Sequence, residues 1–145
     1  MLPYALVAMA ETMDQHSIAV GKTFVWHEVY GPSDSASVDF YTKALDWGVQ
    51  PMDMGPMGTY NMLTANGVPV AGCVGTANNP EMEGTPPHWA TYIGVDDVDV
   101  RAEKCVSLGA TVLVPAMDVP TVGRMTLIQD PQGATFWLYK PAPQG

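Results

Sequence analysis

Few side chains in this sequence could attack a substrate or exchange protons near neutral pH. His27 and Glu28 are the nearest approach to a catalytic pair, but neighbouring residues on a strand point to opposite faces, which works against their contact. Cys73 and Cys105 have no basic neighbour in sequence that would lower a thiol pKa, and we expect both to be buried. No glycine-rich phosphate-binding loop is present in the sequence. Nucleophilic catalysis therefore has little support.

Side chains suited to binding a small molecule are more numerous. Arg124 could form two parallel hydrogen bonds with a ligand carboxylate, and the alternative is a salt bridge at the end of a sheet. Tyr60 and Tyr92 are candidate cleft-facing hydroxyls. Flexible thioethers suit either an adaptable apolar pocket lip or irregular core packing, and four lie close together around two glycines: Met52, Met54, Met57 and Met62.

The composition restricts the classes of partner. The chain has 145 residues, enough for one domain, with 47% apolar residues, 14% charged residues and a net charge of −9. Six basic residues are too few to bind nucleic acid or an anionic membrane surface. The low charge predicts burial in an oligomer or around an apolar cavity. The opening stretch lacks the basic region of a signal peptide, so we expect a cytoplasmic protein.

The sequence contains an internal repeat. At a constant separation of 63 residues, three identities recur: Trp26 with Trp89, Asp34 with Asp97, and Leu45 with Leu108. Their order and common spacing indicate two copies of one unit. The two tryptophans lie one residue from the positions expected to point inward, so we expect them to pack beneath the helices.

Both copies predict the same succession of one strand, one helix and three strands. In the first copy the strands cover residues 23–31, 47–53, 58–65 and 68–75, and the helix covers 34–45 with Ser33 or Asp34 as its cap. In the second copy Asp96 or Asp97 caps a helix over 97–108, and the strands cover 89–95, 111–115, 123–129 and 134–140. Residues 76–87 form a linker rich in Asn, Pro and Gly.

We therefore predict an α+β fold of two βαβββ modules whose sheets curve into a half-open mixed β-barrel with the helices outside. The predicted organisation is a single structural domain. Its parts are an N-terminal extension (1–22), the first module (23–75), the linker (76–87), the second module (88–141) and a short tail (142–145). A cleft between the concave faces is the expected ligand site.

Two stretches carry a resemblance to a known family. The segments "DFYTKALDWGV" and "VDDVDVRAEKCVSLGATVLVPAMDVPTVGRMTLIQDPQGATFWLYKP", together with the doubled module, resemble the vicinal-oxygen-chelate superfamily. That superfamily includes glyoxalase I, extradiol dioxygenases, fosfomycin-resistance transferases and bleomycin-binding proteins. The resemblance covers residues 23–141 and implies the glyoxalase-like fold, while function must be argued from the site. Relatives commonly dimerise, so a homodimer is expected.

The resemblance also implies where a divalent metal would bind. Enzymes of this superfamily take His and Glu ligands from the first and last strands of each module. The corresponding positions here are His27, Ala71, Ala90 and Trp137, of which only His27 is a ligand type. His88 lies two residues before Ala90, on the same strand face, and could join His27 in an alternative metal site. We therefore expect no cofactor, with a divalent metal as the alternative.

The sequence leaves three functions open. The first, which we favour, is a metal-free cleft that binds an apolar, aromatic or cationic small molecule, with His27 as a polar anchor and Trp137 as a stacking platform or a plug. The second is a lyase, isomerase or dioxygenase with a metal on His27 and His88. The third is a non-enzymatic domain that serves dimerisation.

Overall fold

The computed structural model describes residues 23–143, so the predicted extension (1–22) and the last two residues of the predicted tail lie outside the described residues. The first copy contains α1 (Asp34–Leu45) and the strands β1 (Phe24–Gly31), β2 (Gly48–Asp53), β3 (Thr59–Ala65) and β4 (Val68–Gly75). The second contains α2 (Val98–Ser107) and the strands β5 (His88–Gly94), β6 (Thr111–Val119), β7 (Gly123–Gln129) and β8 (Thr135–Pro141). The predicted α+β fold of two βαβββ modules is confirmed.

The described residues divide into two compact units. The first unit is Trp26–Thr91, and the second runs from Tyr92 onward together with residues 23–25. Strands of the first copy are ordered β2-β3-β4-β1, with β1 and β4 parallel and the other pairs antiparallel. Strands of the second copy follow the equivalent order β6-β7-β8-β5, with β5 and β8 parallel. The half-open barrel is a prediction about how the two units are arranged, and it stays a prediction.

The first helix begins and ends at residues with clear physical roles. The Ser33 side chain accepts a hydrogen bond from the Ala36 backbone N–H at 3.1 Å, which satisfies one of the free donors at the helix start. Asp46 ends the helix in the left-handed region, at φ 57°. Val38 and Tyr41 of α1 pack against a core of buried side chains from the sheet: Val29, Leu63, Ala71 and Cys73.

The second helix has the same design with a different cap. Asp97 accepts a hydrogen bond from the Val100 backbone N–H at 3.0 Å. Gly109 follows the helix at φ 102°, a conformation that glycine adopts without steric cost. The side chains of this unit's core come from the sheet, the helix and the segment before it: Val95, Val98, Ile128 and Leu138.

One strand is longer than the sequence predicts. We expected β6 to end at residue 115, but it continues to Val119, with register shifts between Val112 and Val114 and between Val114 and Met117. The shorter prediction follows from Pro115, because proline normally interrupts a strand. At the edge of a sheet, however, a strand tolerates proline at a bulge. Within residues 23–143, no helix is long and apolar enough to cross a bilayer.

The core of the first unit makes a direct prediction. Leu63 is fully buried, so Leu63→Ala should lower the free energy of unfolding by about 2–5 kcal/mol, measured by urea denaturation. Leu108, whose side chain is 68% exposed, provides the matched Leu→Ala control, with an expected change within about 0.5 kcal/mol. Equal effects of the two substitutions would contradict this assignment of the core.

Candidate functional site

Strand β1 divides its side chains between two environments. Val29 packs in the core beneath α1, whereas Glu28 and Tyr30 alternate to the other side of the sheet and are 8% and 7% exposed. We call this other side the helix-free face of the first unit. It is formed by Trp26, Glu28, Tyr30, Tyr60, Met62 and Gly72.

Glu28 is the centre of a hydrogen-bond network on the helix-free face. The Tyr60 hydroxyl donates to Glu28 Oε2 at 2.6 Å, and the Tyr30 hydroxyl donates to Glu28 Oε1 at 3.1 Å. Trp26 donates its indole N–H to the Tyr60 oxygen at 2.9 Å. Because an indole can only donate and a hydroxyl has one proton, the direction of this relay from Trp26 through Tyr60 to Glu28 is fixed.

The Tyr60 hydroxyl keeps its proton in this environment. Burial, followed by the negative charge of Glu28 and the hydrogen bond to it, raises the pKa of Tyr60 above its ordinary value of 10.0. Tyr60 is therefore a permanent donor over the physiological pH range, and it holds the Glu28 carboxylate in one orientation.

His88 borders the same network. Its Nδ1 lies 2.7 Å from the Pro86 carbonyl oxygen, which can only accept, so Nδ1 carries a proton. The imidazole stacks on the Tyr30 ring, with centroids 5.0 Å apart and an interplanar angle of 13°. His88 thus contacts the tyrosine that donates to Glu28.

The second unit carries aromatic rings where the first carries polar groups. Tyr92 stacks on Trp137, with centroids 5.4 Å apart and an interplanar angle of 10°. Tyr139 meets Tyr92 edge to face, and its hydroxyl donates to the Val122 carbonyl at 2.8 Å. Trp137 is 9% exposed, so the indole predicted as a platform or a plug is packed against a neighbouring ring.

The helix caps and strand registers give the true correspondence between the copies. The N-caps are Ser33 and Asp97, which are 64 residues apart rather than the 63 used in the sequence alignment. Glu28 and Tyr92 each lie five residues before these caps. In the sheets Glu28 pairs with Gly72, and Tyr92 pairs with Trp137. Glu28 therefore corresponds to Tyr92, and Gly72 to Trp137.

Because the copies are offset by 64 residues rather than 63, each side chain of β1 lies on the face opposite to the predicted one. Trp26, expected beneath a helix, donates to Tyr60 on the helix-free face, so that prediction was wrong. Trp89, by contrast, contacts Tyr41 of α1 through its indole N–H at 3.1 Å, as expected of a residue on the helix side. His27 is exposed, and strand alternation places it on the same face as Val29. The inward position that we assigned to His27 belongs to Glu28.

Arg124 is engaged in salt bridges within the second unit. Its Nε and one terminal nitrogen bond the two Asp99 carboxylate oxygens at 2.8 and 2.9 Å, and its other terminal nitrogen lies 3.2 Å from Asp118. The pKa of Asp99 is lowered, first by the hydrogen bond from Arg124. The structure thus shows the salt bridge that was the alternative to a ligand carboxylate.

The structure also places the clustered methionines and Cys73. Met62 is 6% exposed and lies opposite Gly72 in the register of β3 and β4, whereas Met52 and Met57 are exposed. Burial, with smaller effects from the charges of Asp34 and Glu28, raises the pKa of the Cys73 thiol to about 11. The expected burial is confirmed for Cys73, whereas Cys105, on α2, is only partly buried.

The side chains do not fit the metal site that the family resemblance implies. His88 stacks on Tyr30 at the helix-free face, whereas His27 lies on the opposite face of β1, so the alternative pair is not brought together. Ala71 belongs to the core beneath α1. Glu28 is the one ligand type at the paired positions Glu28, Gly72, Tyr92 and Trp137 of the two described sheets. Among residues 23–143, no three His, Cys, Asp or Glu side chains are grouped to hold an ion.

Known sequences place these observations in a wider group. The model of the Glyoxalase/Bleomycin resistance protein/Dioxygenase superfamily matches residues 23–138. "Putative glyoxylase CFP32" of Mycobacterium tuberculosis is 35% identical over 122 residues, which cover 84% of this chain and 45% of that protein. "Anthracycline biosynthesis protein DnrV" of Streptomyces peucetius is 28% identical over 127 residues, covering 79% and 46%. The chain thus spans about half the length of these relatives.

Solved structures share the fold at low sequence identity. Methylmalonyl-CoA epimerase from Mycobacterium tuberculosis has a TM-score of 0.58 and 13% identity, over 86% of this chain and 91% of that one. The hypothetical protein BH1468 from Bacillus halodurans has a TM-score of 0.59 and 13% identity, over 85% and 96%. These similarities concern the fold alone.

The Glu28 network predicts an unequal effect of removing two tyrosine hydroxyls. Tyr60→Phe takes a donor from a buried carboxylate and should lower the free energy of unfolding by about 1.5–3 kcal/mol. Tyr41→Phe is the matched control, because it deletes the same atom from an exposed hydrogen bond and should cost less than about 1 kcal/mol. Urea denaturation would measure both, and an equal loss would contradict the assigned role of Tyr60.

The Arg124 salt bridges predict a dependence of stability on pH. Because the folded-state pKa of Asp99 lies below its ordinary value of 3.8, the pair stabilises the fold above that value and is lost as the pH falls through the folded pKa. Asp99→Asn should lower the melting temperature at pH 7, and the difference from the unchanged protein should shrink below pH 4. A difference that stays constant from pH 7 to pH 3 would contradict this.

Proposed function

We propose that this chain, which belongs to the glyoxalase/bleomycin resistance protein/dioxygenase superfamily, binds a small organic cation through the carboxylate of Glu28. The ligand contacts the protein directly, with no metal ion between them. The orientation of Glu28 by Tyr30 and Tyr60 is the observation that carries the proposal.

A carboxylate held in this way is suited to a positively charged partner. Both tyrosine hydroxyls fix the positions of its oxygens, so little side-chain entropy remains to be lost when a ligand binds. A hydrogen bond between an ammonium group and a carboxylate is about twice as strong as a neutral one. The net charge of −9 adds a long-range attraction for cations.

The aromatic rings around Glu28 favour an organic cation over an inorganic one. Trp26, Tyr30, Tyr60 and the imidazole of His88 belong to the same network or stack on it. Ring faces attract ammonium groups and also cover the apolar part of an amine. Trp26 and Tyr60 are only partly buried and both belong to the Glu28 network, so the proposed approach to Glu28 passes beside these rings.

A flat aromatic compound is the second candidate ligand. The Tyr92–Trp137 pair of the second unit supports it, because parallel aromatic rings can take a further ring at a similar spacing. DnrV of Streptomyces peucetius is named for anthracycline biosynthesis, which is consistent with an aromatic ligand in this family. Tyr92 and Trp137 already cover one face of each other, however, and the net charge of −9 favours a cation, so the cation is the better supported class.

Two matched probes test the proposal. At neutral pH protonated benzylamine carries a positive charge that benzyl alcohol lacks, and calorimetric titration gives the dissociation constant of each. Benzylammonium should bind at least about tenfold more tightly than benzyl alcohol, and Glu28→Gln should remove this preference. Glu83→Gln removes the same charge at an exposed position and should leave the preference unchanged.

Metal removal separates this proposal from family-type metal chemistry. Dialysis against a chelator should leave the affinity for benzylammonium unaltered, because no step of the binding uses an ion. Loss of affinity after dialysis, with recovery on adding zinc or manganese, would overturn the direct-contact account. Equal binding of both probes in the unchanged protein and in Glu28→Gln would overturn the cation site itself.

A further inference from the structure

Gly72 lies at the centre of the helix-free face, and its missing side chain has a defined neighbour. In the sheet Gly72 pairs with Glu28 of β1 on one side and with Met62 of β3 on the other. A Cβ atom built on Gly72 would run into the ring and hydroxyl of Tyr60, reaching Cε1 at 2.9 Å and overlapping Cζ and the hydroxyl oxygen. The Tyr60 ring therefore lies directly over the backbone at Gly72.

This close approach brings the Tyr60 hydroxyl to Glu28. A side chain at position 72 would have to displace an aromatic ring with two rotatable bonds, and the hydroxyl at its end would move with it. Both of its hydrogen bonds would then be lost or lengthened, one to Glu28 and one from Trp26. The hydrogen-bond network around Glu28 therefore requires glycine at position 72, whereas the backbone conformation there does not.

The second unit supplies an internal comparison. Trp137 occupies the register position of Gly72, and Tyr92 occupies that of Glu28. There the indole takes the space over the strand, and the two rings stack at 5.4 Å. The same backbone design thus presents an oriented carboxylate in one copy and an aromatic pair in the other, according to the residues at these two paired positions.

We infer that Gly72 is a specificity-determining residue: by admitting Tyr60 against the strand, it makes the helix-free face selective for an organic cation over a neutral aromatic compound. This inference rests on the proposed function for its ligand. Gly72 itself touches no ligand and acts through Tyr60, so it is a positioning residue.

A double-mutant cycle tests the inference. Gly72→Ala should reduce the preference for benzylammonium over benzyl alcohol by about tenfold, because the carboxylate loses its fixed orientation. In a Tyr60→Ala background there is no ring to displace, so adding Gly72→Ala should change the preference by less than about twofold. Gly31→Ala is the control glycine, since its Cβ would meet only Ser37 Oγ, at 3.4 Å.

A spectroscopic readout follows the displacement without any ligand. The indole N–H of Trp26 donates to Tyr60, so its nitrogen–proton NMR resonance depends on the position of the Tyr60 hydroxyl. The Trp26→Phe variant assigns this resonance. It should shift in Gly72→Ala and keep its position in Gly31→Ala. If Gly72→Ala fails to fold, the Gly72→Ala/Tyr60→Ala double variant should fold as well as Tyr60→Ala alone. A double variant that fails to fold where Tyr60→Ala succeeds would refute the inference.

The outcomes separate the two claims. If the unchanged protein binds both probes equally, the proposed function fails and this inference fails with it. If benzylammonium is preferred but Gly72→Ala keeps the full preference, only the role of Gly72 is refuted. An unshifted Trp26 resonance in Gly72→Ala would likewise refute the role of Gly72 and leave the Glu28 site standing.

Discussion

A carboxylate on a buried strand face must be hydrogen-bonded, because burial without partners costs several kcal/mol. In this protein the requirement falls on Glu28, and two tyrosine hydroxyls meet it. One of them, Tyr60, reaches Glu28 only because Gly72 has no side chain. The hydrogen bond from Tyr60 to Glu28 therefore depends on one glycine and one close contact between a ring and a strand.

The two copies share one backbone design but differ in the side chains on the face away from the helix. The caps, parallel strand pairs and cores correspond, so the backbone of each copy is set by the same local rules. The paired positions on the face away from the helix differ: Glu28 and Gly72 in the first copy, Tyr92 and Trp137 in the second. Fold is thus preserved while the side chains on this face change.

Much of the fold could be predicted from the sequence, because it depends on local signals. The bounds of α1 agree with the prediction, because a capping residue and the apolar spacing that follows it are local signals. The site could not be predicted, because Ser33 and Asp34 are equally good capping residues and only the structure shows that Ser33 is the cap. A cap one residue later shifts the alignment of the two copies by one residue, which moves every side chain of the strand to the opposite face. The contact of Tyr60 with Gly72 is also tertiary and leaves no periodic pattern.

The most direct test of the central claim is a crystal structure of the chain with benzylammonium bound. The account predicts the ammonium nitrogen within hydrogen-bond distance of a Glu28 carboxylate oxygen, with Tyr60 still donating to that carboxylate. A ligand bound elsewhere, with Glu28 unchanged, would contradict it. A metal ion coordinated by Glu28 would contradict it equally.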